Sequence, residues 1–258
     1  MSRIREAFSD KKAFIPFITC GDPDIETTEK IVLAAAENGA DLIELGIPFS
    51  DPTAEGPVIM EADSRALEAG TTTDDVFLLT ARLREKLAIP LVYMTYANVV
   101  FSYGTEKFAK KAAAAGIDGI ILPDVPFEEK GDFEEVFAAC GIDLISMIAP
   151  TSEDRIAMIA KEARGFLYIV SSLGVTGTRS SITTDIGAMT ALIREHTDIP
   201  CAVGFGISTP EQARAMAALS DGAIVGSAII KIIAKYGREA APHAGEYVRA
   251  MAAAAHSA

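Results

Sequence analysis

The sequence predicts an α/β fold, a closed (β/α)8 barrel. Three observations lead there. Eight short runs rich in Ile, Val and Leu recur along the chain, separated by helix-like stretches. The runs are almost continuously apolar instead of alternating, as strands buried on both faces of a parallel sheet are. The chain has 258 residues, half of them hydrophobic, and single barrels commonly run to about 250 residues.

The first stretch, MSRIREAFSD, alternates charge with apolar side chains. That suits a short amphipathic helix and lacks the apolar segment of a signal peptide. Strands are expected at 13–20, 42–47, 91–96, 119–122, 143–148, 166–171, 201–205 and 222–227. Helices are expected between them, as in TTEKIVLAAAENG, EKFAKKAAAAG and PEQARAMAALS. Thr209-Pro210-Glu211-Gln212 places a capping hydroxyl, a proline at the first helical position and a glutamine at the third. Gly39-Ala40-Asp41, Gly116-Ile117-Asp118 and Gly141-Ile142-Asp143 each stand directly before a strand. Glycine there can take the left-handed conformation that ends a helix, and the next apolar residue can pack back on its last turn. An Ile-Pro pair precedes the strands at Leu91 and Cys201. Strict strand–helix alternation implies right-handed parallel crossovers, and eight units favour closure into a TIM barrel with extra loop helices. After the first strand comes TCGDPD, not the G-x-G-x-x-G of a dinucleotide fold. Nothing resembles a linker, so residues 1–258 are expected to form one domain.

The net charge of −13 would repel nucleic acid, whose binding relies on Lys and Arg neutralising phosphates. A local site for a small anion stays open. No apolar stretch reaches the roughly 20 residues of a membrane helix. Cys20, Cys140 and Cys201 lie in or beside apolar runs without ligand spacing, as buried free thiols of a reducing cytoplasm would. No metal site is visible.

In such a barrel, chemistry belongs at the C-terminal strand ends and the loops that follow. Three consecutive late loops are glycine-rich: SLGVTGTRSS, GFGISTP and VGSAII. Glycines as plain turn formers would explain any one of them. Together, with a Gly-Ser opening the final barrel helix, they outline a cradle of backbone N–H groups for phosphate, with Gly177, Gly206, Gly226 and Ser227 as candidates. No lysine completes a nucleotide-binding P-loop.

Glu44 interrupts the run LIELGI. It either points outward to a basic partner or sits buried, where low polarity raises a carboxyl's pKa and suits it to exchange protons near neutrality. The loop PFSDPTAEGP, stiffened by Pro48, Pro52 and Pro57, brings Glu55 after it. Asp51 precedes a proline and fits a turn. Asp124 in LPDVP is equally a turn former or a contact surface. TGTRSSI reads as a lid that orders over ligand or as an ordinary exposed loop.

Taken together, FIPFITCGDPD, LIELGIPFSDPTAEGP, YANVVFSYG, LPDVP, SSLGVTGTR, GFGIS and VGSA resemble the α subunit of tryptophan synthase, in that family's order and over almost the whole chain. ELGIPFSDP is the specific signature; the glycine loops are shared by several phosphate-binding barrels. The resemblance implies retro-aldol cleavage of indole-3-glycerol phosphate to indole and glyceraldehyde 3-phosphate. In that chemistry the indole C3 gains a proton, a glycerol hydroxyl loses one, and the cationic ring needs a nearby negative charge.

By resemblance, Glu44 is the general acid–base and Glu55 the second carboxylate. The family carries ADGP where this chain has AEGP, so the carboxylate reaches about 1.5 Å further. Phe17, Met94, Ile121 and Tyr168 would line the indole pocket, and Thr176 would lie in the lid and bond the loop-two acid when closed. Gly177, Gly206, Gly226 and Ser227 fall on the family's phosphate ligands. No cofactor is implied for this chain; pyridoxal phosphate belongs to a β subunit, its expected partner in an α2β2 complex in the cytoplasm. Pro48, Asp51, Asn98, Phe101, Asp124 and Pro126 would meet that partner. Two alternatives are a stand-alone indole-releasing lyase and a weakly catalytic barrel that mainly activates a β subunit.

Overall fold

The structure, a computed structural model, describes residues 2–171, 185–204 and 206–258. Helix α1 (Arg3–Glu6) precedes β1 (Ala13–Thr19), α2 (Ile25–Glu37) and β2 (Ile43–Gly46). Two helices, α3 (Pro57–Glu68) and α4 (Thr73–Arg84), lead to β3 (Leu91–Met94). Two more, α5 (Ala97–Tyr103) and α6 (Thr105–Ala115), lead to β4 (Gly119–Ile121). A short turn of 3-10 helix (Phe127–Glu129) and α7 (Gly131–Ala139) come before β5 (Asp143–Leu144) and β6 (Ser146–Ile148). Then follow α8 (Glu153–Glu162), β7 (Leu167–Val170), α9 (Ile186–Arg194), β8 (Cys201–Gly204), α10 (Pro210–Ala218) and β9 (Gly222–Val225). Helices α11 (Ser227–Tyr236) and α12 (Ala240–His256) come last.

All strand pairs are parallel, in the order β5-β4-β3-β2-β1-β9-β8-β7-β6. The two ends of that sheet, β5 and β6, are parts of one segment joined by Ile145, whose N–H donates to Ile120 O at 2.8 Å. The sheet therefore closes on itself. The continuous fifth strand expected over 143–148 is divided instead. Strands of a closed barrel are tilted, so a segment's first residues meet one neighbour and its last meet the other.

Local chemistry sets the boundaries. Thr209 and Gln212 form the reciprocal cap of α10 that the sequence implied. Gly39, Gly116 and Gly141 have φ of 102°, 89° and 74°, the left-handed region that glycine occupies without strain. Two aspartates at these connectors, and Asp221 directly before β9, have a role that sequence reading missed. Asp41 accepts from the Phe14 N–H at 2.8 Å, Asp118 from Leu91 N–H at 2.9 Å and Asp221 from Cys201 N–H at 2.8 Å. Each fastens the start of one strand to its neighbour.

Asp118 also accepts from Arg84 at 2.9 Å, and Arg84 in turn donates to the carbonyls of Gly116, Leu87 and Ile89. Both side chains are largely buried. Asp118→Ala should therefore cost about 3 kcal/mol, because it takes the counter-charge from the largely buried Arg84 and leaves the Leu91 N–H without its acceptor. Urea unfolding measures this, and a loss under about 1 kcal/mol would show the network to be dispensable.

Strand residues alternate between the barrel interior and the helical layer. Tyr93 faces outward, where its hydroxyl donates to Thr80 of α4 at 2.7 Å. Cys20 and Cys201 are buried and Cys140 half-buried, all as free thiols. Among the described residues no helix is long and apolar enough to cross a membrane.

Candidate active site

Glu44 lies in register with Phe17 on β1 and Val92 on β3. Its neighbours Ile43 and Leu45 are fully buried on the other face of the strand. Alternation then sends the Glu44 side chain into the barrel, where it is fully buried and neither oxygen has a hydrogen-bond partner among the described residues. Burial alone pushes its pKa up to about 8. Of the two readings of Glu44, the inward, unpaired one holds.

A narrow cavity surrounds it, lined by Phe17, Met94, Tyr168, Ile224 and Ile59, and closed by Gly206, Ile207, Gly226 and Ser227. Its free space is about 30 Å³, room for roughly one water molecule, so a two-ring ligand must widen it. Two glycines make space for its aromatic walls. A Cβ on Gly46 would stand 2.5 Å from Phe17 Cζ, and one on Gly204 would stand 2.2 Å from the Tyr168 hydroxyl.

At the far end Gly226 precedes α11 with no capping side chain, and Ser227 begins the helix. α11 thus begins at the cavity with no side-chain cap, presenting the positive end of its dipole. No lysine or arginine lines the cavity among the described residues. An anion there would be held by backbone donors.

Glu55 stands beside this cavity but is not part of its wall. It is buried, near Asp63 of α3, and its Oε2 has no hydrogen-bond partner among the described residues. Burial pushes its pKa up. The loop that carries it is tied down by the Ala54 N–H, which donates to the Tyr96 hydroxyl at 3.1 Å. Burial, and after it the nearness of Glu44 and Glu55, push the Tyr168 pKa up.

Ile121 is buried next to Met94 in the β3–β4 register yet forms no part of the cavity wall. Thr176 and Gly177 lie outside the described residues. Asp51, Asn98, Asp124 and Pro126 are exposed, whereas Pro48 is buried. Asp124 accepts from the Ala97 N–H with both oxygens, at 3.0 and 3.1 Å, and so starts α5. Phe101, on the same helix, is 66% exposed despite its size.

Tyr96 and Asp63 were not singled out from sequence. Asp63 had a readable signal: Ile59, Ala62, Asp63 and Ala66 form the buried stripe of α3 at helical spacing, and an acid on such a stripe needs a partner.

A larger cavity of about 460 Å³ lies between residues 122–127 and the segment 144–151. Its cations are already matched: Lys130 sits 3.1 Å from Glu162 and 3.4 Å from Glu134, and Arg155 pairs with Glu128 through two contacts. It offers no free charge and no proton-exchanging group. The smaller cavity is the candidate site. No cluster of described residues could hold a metal ion.

Comparison with known proteins gives a consistent result. The family model for the tryptophan synthase alpha chain matches residues 4–256. A tryptophan synthase alpha chain from Lacticaseibacillus casei is 48% identical over 240 residues, 93% of this chain and 90% of that protein. One from Lactiplantibacillus plantarum is 51% identical over 237 residues, 92% of this chain and 90% of that protein. The crystal structure of tryptophan synthase subunit alpha from Legionella pneumophila superposes with a TM-score of 0.89 at 35% identity, covering 100% of both chains. A chain from the mutually activating tryptophan synthase α2β2 complex of Pyrococcus furiosus gives 0.83 at 34% identity, over 93% of this chain and 97% of that one.

Proposed function

The chain belongs to the tryptophan synthase alpha chain family, and from that membership we propose that it cleaves indole-3-glycerol phosphate to indole and glyceraldehyde 3-phosphate. The observation that carries this reading is Glu44: a buried, unpaired carboxyl in an apolar slot that ends on an uncapped helix N-terminus. With its pKa near 8, Glu44 holds its proton at neutral pH. It can give that proton to the indole C3 and accept the one leaving the glycerol hydroxyl.

Phe17, Met94 and Tyr168 flank the indole rings, while Gly226, Ser227 and Gly206 hold the phosphate. Glu55 supplies negative charge for the cationic ring that forms when C3 is protonated. Thr176 and Gly177 complete the lid and the phosphate cradle. The chain itself needs no cofactor. Its partner is a pyridoxal-phosphate β subunit in the cytoplasm, docked on the face carrying Asp51, Asn98, Phe101, Asp124 and Pro126, with Phe101 buried on docking. Pro48 braces the loop beneath this face.

The test is purified chain with indole-3-glycerol phosphate, with and without a β subunit, followed by indole appearance. Indole release that rises when the β subunit is added is the expected result. No release in either case would overturn the proposal.

A further inference from the structure

The loop between β2 and α3 is fastened at both ends to the segment that follows β3. At its start the Ile47 N–H donates to Met94 O at 3.0 Å, and Thr95 Oγ1 donates to Ile47 O at 3.4 Å. Near its end the Ala54 N–H donates to the Tyr96 hydroxyl at 3.1 Å. Between these ties the Phe49 and Tyr96 rings meet with centroids 5.3 Å apart. Tyr96 thus touches the loop twice, and its hydroxyl holds the residue immediately before Glu55.

We propose that Tyr96 is a positioning residue for Glu55: its hydroxyl anchors the Ala54 amide and so fixes the backbone from which the Glu55 carboxyl is presented. This rests on the reading above, in which Glu55 supplies charge to the indole ring.

Tyr96 is built as a fixed post. It is 2% exposed and stands between β3 and α5, whose first residue, Ala97, has its N–H held by both oxygens of Asp124. Tyr96 forms no part of the cavity wall, so it acts through the loop. Glu55 needs such an anchor. Its Oε2 has no hydrogen-bond partner among the described residues, so no bond to that oxygen aims it. Pro52 and Pro57 fix φ at their own positions, but residues 53–56 between them keep both dihedrals. A turn of the Ala54 peptide would swing the Glu55 Cα and carry the carboxyl with it. In Tyr96→Phe the ring keeps its contact with Phe49, and Ala54 is only half-buried, so water can take over its N–H. The change therefore falls on placement and spares the fold.

The test is a double-mutant cycle in the full chain with its β subunit, using Tyr96→Phe and Glu55→Gln. Alone, Tyr96→Phe should lower kcat about tenfold or more with KM within about threefold, because a misplaced charge is missed chiefly in the transition state. In the Glu55→Gln background it should cost no more than about twofold, since no charge is left to aim. Equal losses in the two backgrounds, or parental kcat in Tyr96→Phe, would overturn the proposal. Carbon-13 labelling of the glutamate carboxyls reads the placement apart from activity. The Glu55 resonance, identified by its loss in Glu55→Gln, should shift or broaden in Tyr96→Phe; an unchanged resonance would also overturn the proposal. If the parent releases no indole, or Glu55→Gln falls below detection, that resonance decides whether Tyr96 places Glu55; only the first of these sinks the activity reading. Glycerol phosphate should bind Tyr96→Phe within about twofold of the parent. A larger loss would show that the hydroxyl shapes the cavity instead, and the proposal would fall.

Discussion

Glu44→Gln should reduce indole release by about a thousandfold while the chain still binds glycerol phosphate. The amide keeps the shape and most of the polarity of the protonated carboxyl, so Phe17, Met94 and Tyr168 can pack around it as before. What it loses is the proton that moves. General acid–base groups contribute roughly a hundredfold to ten-thousandfold, and Glu44 is asked to act twice, first giving a proton to carbon and then taking one from oxygen. The loss should fall on kcat and leave KM nearly alone, because the uncharged side chain contributes little to ground-state binding. The proposed phosphate end is separate: its ligands would be backbone groups around Gly226 and Ser227. Steady-state kinetics together with a glycerol phosphate titration measure both halves. Near-parental turnover in Glu44→Gln would remove Glu44 from the chemistry. Lost turnover with lost binding would point to a collapsed cavity instead.

The parts of this architecture that depend on neighbours in sequence were legible before the structure. Strand and helix positions follow from apolar runs and caps, as at Thr209 and Gln212. Glu44 stood out because a charge interrupting an apolar strand must be paired or functional. The Gly226–Ser227 helix start was readable for the same local reason. What depends on the closed barrel was not readable. The division of the fifth strand at Ile145 comes from strand tilt. Met94 lines the cavity and its register partner Ile121 does not, a difference that periodicity cannot carry. The strand-tying role of Asp41, Asp118 and Asp221 requires knowing which strands adjoin.

Glu55 illustrates the boundary between the two cases. Its place on a proline-braced loop is a local feature. The helical stripe that Asp63 shares with Ile59, Ala62 and Ala66 is a local pattern as well; that the loop brings Glu55 and Asp63 into one buried region is not.

The placement that makes Glu44 reactive should also make the fold weaken as pH rises. Its pKa is about 4.5 when exposed in the unfolded chain and about 8 when buried in the folded one. Below pH 4.5 both states are protonated and the group contributes no pH dependence. Between 4.5 and 8 the unfolded chain releases this proton and the folded chain retains it, so stability falls by about 1.4 kcal/mol per pH unit. Above 8 both states are ionised and the decline stops. The total is on the order of 5 kcal/mol, a large share of the roughly 5–15 kcal/mol typical of a folded domain. Glutamine cannot ionise, so Glu44→Gln should match the parent near pH 4.5 and exceed it by several kcal/mol near pH 8.5. Groups with lowered pKa, such as Asp24 and Glu29, and the Glu55–Asp63 pair are common to both proteins and cancel in the difference. Urea unfolding of parent and variant at the two pH values isolates the Glu44 contribution. Equal pH dependence in the two proteins would mean that the folded state ionises Glu44 as readily as water does, and the cavity could not then hold a proton for transfer to carbon.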